Sequence, residues 1–220
     1  DALLNATSEP VEPTAGSDAM MQAVAALDSL RLMELLDAEA ADRPALELLE
    51  QVIDPFLRRV GRTWADGELE LRHEHLASEI VEDHLRRRRA ALLSSVPVEP
   101  GRPVLLTTLP GERHALTLLM LALLCAARGV PHTILGADLP MEETVHAVLE
   151  TEAKAVAVSV SLSTGGLETD RLLASLGRNL PDDVALLVGG SGMRRPGRGP
   201  RRVKRLESLE AWNAWLDSAS

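Results

Sequence analysis

The chain has 220 residues, of which 45% are hydrophobic, and this is enough apolar material for the core of one large domain or two small ones. Its net charge of −10 argues against a general nucleic-acid-binding surface, which requires a basic face. The single cysteine, Cys125, lies in an apolar run and is expected to be a buried thiol. With no run long enough to span a membrane and no visible signal peptide, we expect a cytoplasmic protein.

The first half of the chain has the pattern of a small helical bundle. Residues 1–17 mix Ser, Thr, Pro, Glu and Gly without a period and are predicted to form a flexible lead-in. Asp18 is a candidate N-cap, and Asp66-Gly67 marks a turn. The first predicted helical segment is 18–36, as one helix or two, and a second begins at Asp42 or Arg43 with Pro44 in its first turn. Pro55 is expected to kink or break the helix before residues 56–64. The last predicted helix covers about 68–93. Together they predict a four-helix bundle over residues 18–93.

The second half changes to an alternating pattern. Residues 94–102 have the composition of a linker, and from 103 to 220 short apolar runs alternate with helical stretches. The predicted fold class is therefore α/β, with a flavodoxin- or Rossmann-like doubly wound parallel sheet after the helical bundle. The predicted strands are 104–107, 131–135, 155–161 and 184–188, with a poor fifth strand at 202–205. The predicted helices are 116–127, 142–152, 168–179 and 206–216.

A candidate site lies where the first predicted strand ends. Pro110-Gly111-Glu112-Arg113-His114 separates that strand from the helix beginning at Leu116. Ligands of open α/β sheets bind beyond the carboxyl ends of the strands, so a histidine here is placed to meet a cofactor. Glu112 is two residues from His114, and a carboxylate so close can orient an imidazole that ligates a metal. A histidine of a surface loop is the alternative on these residues alone.

The small and polar residues that follow give the chain a resemblance to a known family. After Glu112-x-His114-x-x-Thr117 come 41 residues to Ser159, then Ser161, and 27 further residues to Gly189-Gly190. This layout resembles the cobalamin-binding domain of methionine synthase, corrinoid methyltransferases and B12-dependent mutases. The resemblance implies that His114 is the lower axial cobalt ligand of cobalamin bound base-off. The residues it assigns to the cofactor site are Glu112, Arg113, His114, Thr117, Ser159, Ser161, Gly189 and Gly190.

Two departures accompany that resemblance. Thr117 stands where the family usually has glycine, which would crowd the slot for the displaced nucleotide tail. Ser159-Val160-Ser161 is a shifted form of the usual serine motif. The small residues after the third and fourth strands are expected to leave room for the tail, since glycine lets the backbone approach a ligand closely.

In the helical half, Trp64 is followed after nine residues by Glu74-His75. This pattern resembles the CarH-type B12 photoreceptors, in which a helical bundle lies over the upper face of the corrin. It implies adenosylcobalamin as cofactor, with Trp64 against the adenosyl group and Glu74 and His75 bounding the same pocket, and light cleaving the cobalt–carbon bond. CarH proteins have a histidine directly after this tryptophan, where this chain has Ala65. A second ligating histidine would have to be His73 or His75.

Two further basic segments have alternative interpretations. The four arginines at 86–89, with His84, fit either the propionates of a non-covalent bilin such as biliverdin, as in the photocobilin relatives, or a solvated helix end. No cysteine is placed to attach a bilin covalently. Residues 194–205 hold seven basic residues and fit either an anion-binding or docking loop or a solvated loop.

The predicted function is a light-sensing, B12-dependent module rather than an enzyme. No DNA-binding helix-turn-helix segment precedes the bundle, and the chain begins at Asp1 rather than methionine, which fits a fragment of a longer protein. The expected partners are cobalamin, a second copy of the chain and a downstream regulator or effector domain, without direct contact to nucleic acid or membrane. A corrinoid carrier for a methyltransferase and a light-independent B12-responsive regulator are the alternatives.

Overall fold

A computed structural model describes residues 15–193 and 203–218, and the chain divides after Ala90 into two compact units. The first unit is helical. Its helices are α1 (Ala15–Ala25), α2 (Ser29–Ala40), α3 (Ala45–Leu48), a π-helical turn (Leu49–Ile53), α4 (Asp54–Ala65) and α5 (Leu71–Ser95). The described residues include no helix with the length and apolar character that crossing a membrane requires.

The predicted segment 18–36 consists of two helices. Leu27 adopts a left-handed conformation with φ of 53°, and the Asp28 carboxylate then caps α2 by accepting a hydrogen bond from the Arg31 N–H. The predicted N-cap at Asp18 is wrong, because α1 begins at Ala15 and the Asp18 carboxylate instead pairs with Arg59 at 2.6 Å. Helical structure therefore begins inside the predicted lead-in, whose residues 1–14 lie outside the described part of the chain.

Pro55 neither breaks the helix nor ends it. Proline has no N–H to donate to the carbonyl four residues earlier, and its ring would clash with that carbonyl in a regular α-helix. The chain widens into the π-helical turn just before it, where the Asp54 N–H donates to the Leu49 carbonyl five residues back. Phe56 and Val60, fully buried, continue the apolar face beyond the turn.

The start and end of α5 differ from the predicted bounds by a few residues. The helix begins at Leu71 rather than near Glu68, after a turn at Asp66-Gly67 in which Gly67 has a φ of +78°. It ends at Ser95, so the first two residues of the predicted linker 94–102 are helical.

The second unit is built on five parallel strands, which confirms the predicted α/β class. The strands are β1 (Val104–Thr108), β2 (His132–Gly136), β3 (Ala155–Ser159), β4 (Ala185–Gly189) and β5 (Val203–Leu206), in the order β2-β1-β3-β4-β5. The helices are α6 (Leu116–Ala127), α7 (Met141–Thr151), α8 (Leu167–Asn179) and α9 (Leu209–Ser218). This is the doubly wound order, whose ligand crevice lies where neighbouring strands connect in opposite directions, at β1 and β3.

Alternate residues of each strand face opposite sides of the sheet, and both sides are covered. Leu105, Val156 and Leu186 belong to the core cluster that includes Val148 of α7 and Leu173 of α8. The intervening residues of the central strands β1 and β3 are buried too, while α6 contacts β1, β2 and α9. Near-continuous apolar strands are expected of a sheet buried on both faces.

The end of β3 and the fifth strand can be compared directly with their predictions. Strand β3 ends at Ser159 rather than Ser161, because the chain leaves the sheet there and the Ser161 N–H donates to Glu112. The weak fifth strand is present and pairs in parallel with β4. The basic loop predicted at 194–205 falls mainly on residues 194–202, which lie outside the described residues.

Candidate functional site

The β1–α6 loop carries the candidate site at the carboxyl edge of the sheet. Gly111 turns the chain with a φ of +85°, a conformation that favours glycine. The next side chain, Glu112, is only 2% exposed, whereas the His114 side chain is 38% exposed. The loop therefore places a buried carboxylate behind a partly exposed imidazole.

Both oxygens of the Glu112 carboxylate have partners. Oε1 accepts the backbone N–H of His114 at 2.9 Å and lies 2.5 Å from Nδ1 of the His114 ring. Oε2 accepts the backbone N–H of Ser161 at 2.9 Å and the hydroxyl of Thr164. Residues from the β1–α6 and β3–α8 loops, about 50 positions apart in sequence, thus meet on one carboxylate.

This environment keeps Glu112 ionised. Burial by itself would raise the pKa of the carboxyl group, but hydrogen bonds from Ser161, Thr164 and His114 outweigh burial and lower the pKa from 4.5 to about 2. An ionised carboxylate only accepts hydrogen bonds, so we assign the ring proton of His114 to Nδ1. The Nε2 lone pair is then left for a metal ion, and the carboxylate raises its basicity.

The other predicted residues of the sheet unit lie along the same edge. Ser159, which is buried, stands opposite Thr108 of β1 and Gly189 of β4 in the strand register. Gly190 has a φ of +107°, and a Cβ there would lie 2.2 Å from the Val160 carbonyl oxygen. The requirement for glycine at this position therefore comes from the approach of two backbone segments.

Thr117 and Arg113 complete the predicted set in this unit. Thr117 lies in the first turn of α6 and is partly buried. Arg113 is exposed, with its guanidinium 3.9 Å from the carboxylate of Asp138. Sequence reasoning did not predict the contacts that two further residues, Thr164 and Asp138, make with this loop. Their only signal is a polar residue placed just after a neighbouring strand.

In the helical unit the predicted residues divide into inward and outward positions. Trp64 is partly buried near the end of α4. The Glu74 side chain is 14% exposed and accepts a hydrogen bond from the Ser78 hydroxyl, whereas the His75 side chain is 69% exposed. His73 is buried, and its Nδ1 accepts the Glu70 N–H at the start of α5, which occupies that nitrogen in the fold.

The arginine run of α5 pairs mostly within its own unit. Arg86 pairs with Glu82, and Arg88 donates to the Arg43 carbonyl at 2.6 Å. His84 is buried, with its Nδ1 2.9 Å from the Asp37 carboxylate. Arg87 also pairs with Asp37, at 3.4 Å. Burial, the largest influence, lowers the pKa of His84.

Comparison with known proteins assigns a family to the helical unit and a fold to most of the chain. Residues 17–88 match the B12 binding domain family. The chain is 33% identical, over 80% of its length, to the HTH-type transcriptional repressor CarH of Myxococcus xanthus, of which it spans 58%. It is 22% identical to dimethylamine corrinoid protein 3 of Methanosarcina acetivorans, over 73% of this chain and 76% of that protein.

Among solved structures, the monomethylamine corrinoid protein of Methanosarcina barkeri has the same fold, with a TM-score of 0.63 at 18% identity, over 90% of this chain and 96% of that one. The resemblance inferred from sequence motifs is therefore confirmed by a family match and by relatives found over most of the chain. Residues 17–88 therefore belong to the B12 binding domain family, and over most of its length the chain is similar to CarH and to corrinoid proteins.

Proposed function

We propose that this chain is a B12-dependent photoreceptor module that binds adenosylcobalamin base-off, with His114 as the lower axial ligand. The observation that supports the ligand assignment is the buried, ionised Glu112, which contacts His114 Nδ1 at 2.5 Å, so that Nε2 can serve as the ligating nitrogen. The similarity to CarH supports the regulatory role. A neutral imidazole held by a carboxylate is a donor that suits a transition-metal ion, so the residues present fit the axial position of cobalt.

Each residue of the sheet unit has a task in this proposal. Bound cobalamin would supply a light-sensitive cobalt–carbon bond. His114 holds the cofactor from below, and Glu112 orients the imidazole and keeps its proton on Nδ1. Ser161 and Thr164 hold the Glu112 carboxylate in place. The remaining cofactor-binding residues of this unit are Arg113, Thr117, Ser159, Gly189 and Gly190.

The helical unit is proposed to supply the residues for the upper side of the cofactor. Trp64 packs on the adenosyl group, and Glu74 and His75 bound the same pocket, Glu74 from a mostly buried position and His75 from an exposed one. Ala65 replaces the histidine found in CarH proteins, so loss of the adenosyl group does not recruit a ligand at that position. In this scheme residues 18–93 form the cap, 94–102 the linker and 103–220 the cobalamin-binding domain, and the module has no catalytic step.

The test is an absorption spectrum of protein loaded with adenosylcobalamin in the dark and again after illumination. We expect a base-off, histidine-ligated spectrum that changes with light. His114→Ala should lose the histidine-ligated signature and bind cobalamin more weakly, while the control His146→Ala, at an exposed position on α7, should behave as the wild type. An unchanged spectrum for His114→Ala would refute the ligand assignment.

The upper-face assignment has its own test. Trp64→Ala should still bind cobalamin but release the adenosyl group faster on illumination, because the indole no longer packs against it. Loss of the adenosyl group is followed by rapid mixing with a light pulse, and cobalamin retention by gel filtration. A photolysis rate equal to that of the wild type would contradict a contact between Trp64 and the adenosyl group.

A corrinoid carrier of a methyltransferase system is the second candidate. The match to dimethylamine corrinoid protein 3 over 76% of that protein favours it. A light-dependent change in hydrodynamic size or partner binding supports the sensor. A light-independent change on cobalamin binding alone supports a B12-responsive regulator, and capture of a methyltransferase subunit by the methylcobalamin form supports the carrier.

A bilin is the weaker chromophore hypothesis. Arg86, Arg87 and Arg88 each have a partner inside the helical unit, so binding propionates there would require those contacts to break. A second copy of the chain and an effector domain are the partners we propose for the sensor. Adding biliverdin to the loaded protein, with an absorption spectrum as readout, tests the bilin directly.

A further inference from the structure

The loop after β2 reaches across to the loop that carries His114. Asp138 lies in this loop and has a φ of +55°, a left-handed conformation that Asp and Asn tolerate better than most residues. The carboxyl ends of the parallel strands β1 and β2 are neighbours, so the loops that follow them lie side by side. We therefore expect contacts with the His114 loop to hold Asp138 in this conformation.

Asp138 makes hydrogen bonds through both its side chain and its backbone. Its Oδ1 accepts the Gly111 N–H at 2.7 Å. Its backbone N–H donates to the Glu112 carbonyl and to the Thr108 hydroxyl, both at 2.9 Å. The Thr108 hydroxyl in turn donates to the same Glu112 carbonyl, at 2.5 Å. Asp138 and Thr108 therefore fix the backbone of Gly111 and Glu112.

We propose that Asp138 is a positioning residue for the cobalt ligand, an inference that rests on the proposed function of His114. The orientation of the His114 ring depends on the Glu112 carboxylate, whose direction depends on the backbone that Asp138 holds. The ion pair between Asp138 and Arg113 adds little, because the charged atoms are 3.9 Å apart and largely exposed. Asp138 acts through the geometry of the loop rather than through its charge.

The test is a double-mutant cycle that measures the Kd for hydroxocobalamin by equilibrium dialysis. Asp138→Gly removes the carboxylate and still accepts a positive φ. We expect it to raise the Kd roughly tenfold in the wild type, as for one lost hydrogen bond to a charged group. In the His114→Ala background the same change should alter the Kd less than about twofold, because the group it positions is absent.

Two matched variants separate geometry from charge and from general stability. Asp138→Asn keeps the Oδ1 acceptor and tolerates the same backbone conformation, so its Kd should be close to that of the wild type. Asp183→Ala removes a carboxylate that pairs with Arg102 at the amino edge of the sheet, and its Kd should not change. If Asp138→Gly fails to fold, Thr108→Val replaces it in the cycle. This variant removes the second hydrogen bond to the Glu112 carbonyl, and we expect for it the same changes in Kd as for Asp138→Gly.

The outcomes are distinguishable. Equal factors for Asp138→Gly in the wild-type and His114→Ala backgrounds would show a merely structural role and overturn the inference. An unchanged Kd in the wild-type background would overturn it as well, while leaving His114 as the ligand. A His114→Ala variant that binds hydroxocobalamin as tightly as the wild type would overturn the proposed ligand and the positioning role together.

Discussion

Replacing Glu112 by glutamine tests whether the buried carboxylate has to be ionised. Glutamine has nearly the same shape, but one of its two terminal atoms is an NH2 group. All four contacts of this carboxylate come from donors or from the donor side of the His114 ring: the His114 N–H and Nδ1, the Ser161 N–H and the Thr164 hydroxyl. Whichever way the amide is oriented, its NH2 group faces two of these donors and cannot accept their hydrogen bonds.

The size of the effect follows from the pKa. The fold lowers the pKa of Glu112 from 4.5 to about 2. At 1.36 kcal/mol per pKa unit, the folded state therefore favours the ionised form over the protonated form by about 3 kcal/mol. Because the folded-state pKa lies below the unfolded one, this contribution is complete above about pH 4.5 and is lost as the pH falls through the folded-state value. At pH 3 roughly half of it should remain.

The assay is urea unfolding of the cobalamin-free protein at several pH values. Glu112→Gln should be about 3 kcal/mol less stable than the wild type at pH 7, and the difference should shrink towards pH 3. Glu168→Gln changes an exposed carboxylate paired with Arg171 and should alter the free energy of unfolding by less than about 0.5 kcal/mol. A difference between Glu112→Gln and the wild type that is below about 1 kcal/mol at pH 7, or the same at pH 3 and pH 7, would refute the reasoning.

Two further predictions concern the backbone and the helical unit. Gly190→Ala should destabilise the protein by several kcal/mol in urea unfolding, because the new Cβ would lie 2.2 Å from the Val160 oxygen. Gly67→Ala, with a positive φ but open space around it, should cost only about 1 kcal/mol, and equal costs would contradict this account. Burial lowers the pKa of His84, so the unfolded state takes up the proton first and stability should fall with pH below about 6.5. Thermal midpoints at pH 7.5 and 5.5 test this, and His84→Gln should reduce the difference between them.

The sheet and its edge could be predicted because their signals are local. Apolar runs that alternate with helices define a parallel sheet, and the helix predicted at 116–127 has those bounds in the structure. The carboxyl ends of parallel strands share one edge, so Ser159 and Gly189 follow from chain order alone. The contact between Glu112 and His114 was predictable because the two residues are only two positions apart.

The parts of the site that could not be predicted depend on contacts between loops that are distant in sequence. Thr164 is 52 residues from the carboxylate it binds, and Asp138 is 27 residues from Gly111. Nothing in the local pattern identifies the residue that either of them contacts. The exposure of Glu74 and His75 could not be predicted for a different reason. Successive helical residues point about 100° apart, so the two side chains take different directions from α5. The sequence pattern therefore does not tell which of the two lies towards the core; in the fold the Glu74 side chain is 14% exposed and the His75 side chain 69% exposed.

Because of the hydrogen bonds to Glu112, removing the His114 imidazole should affect the stability of the fold less than removing the Glu112 carboxylate. If the His114 ring is removed, the carboxylate keeps its backbone donors at 114 and Ser161 and the Thr164 hydroxyl, so every oxygen still has a partner. If the carboxylate is removed, those donors are left without an acceptor in a buried site, which costs more than the missing bond itself. The ring is therefore dispensable for folding and available for binding. That division is expected of a ligand residue held by a structural one, and it makes His114→Ala a test of cofactor binding that stability does not confound.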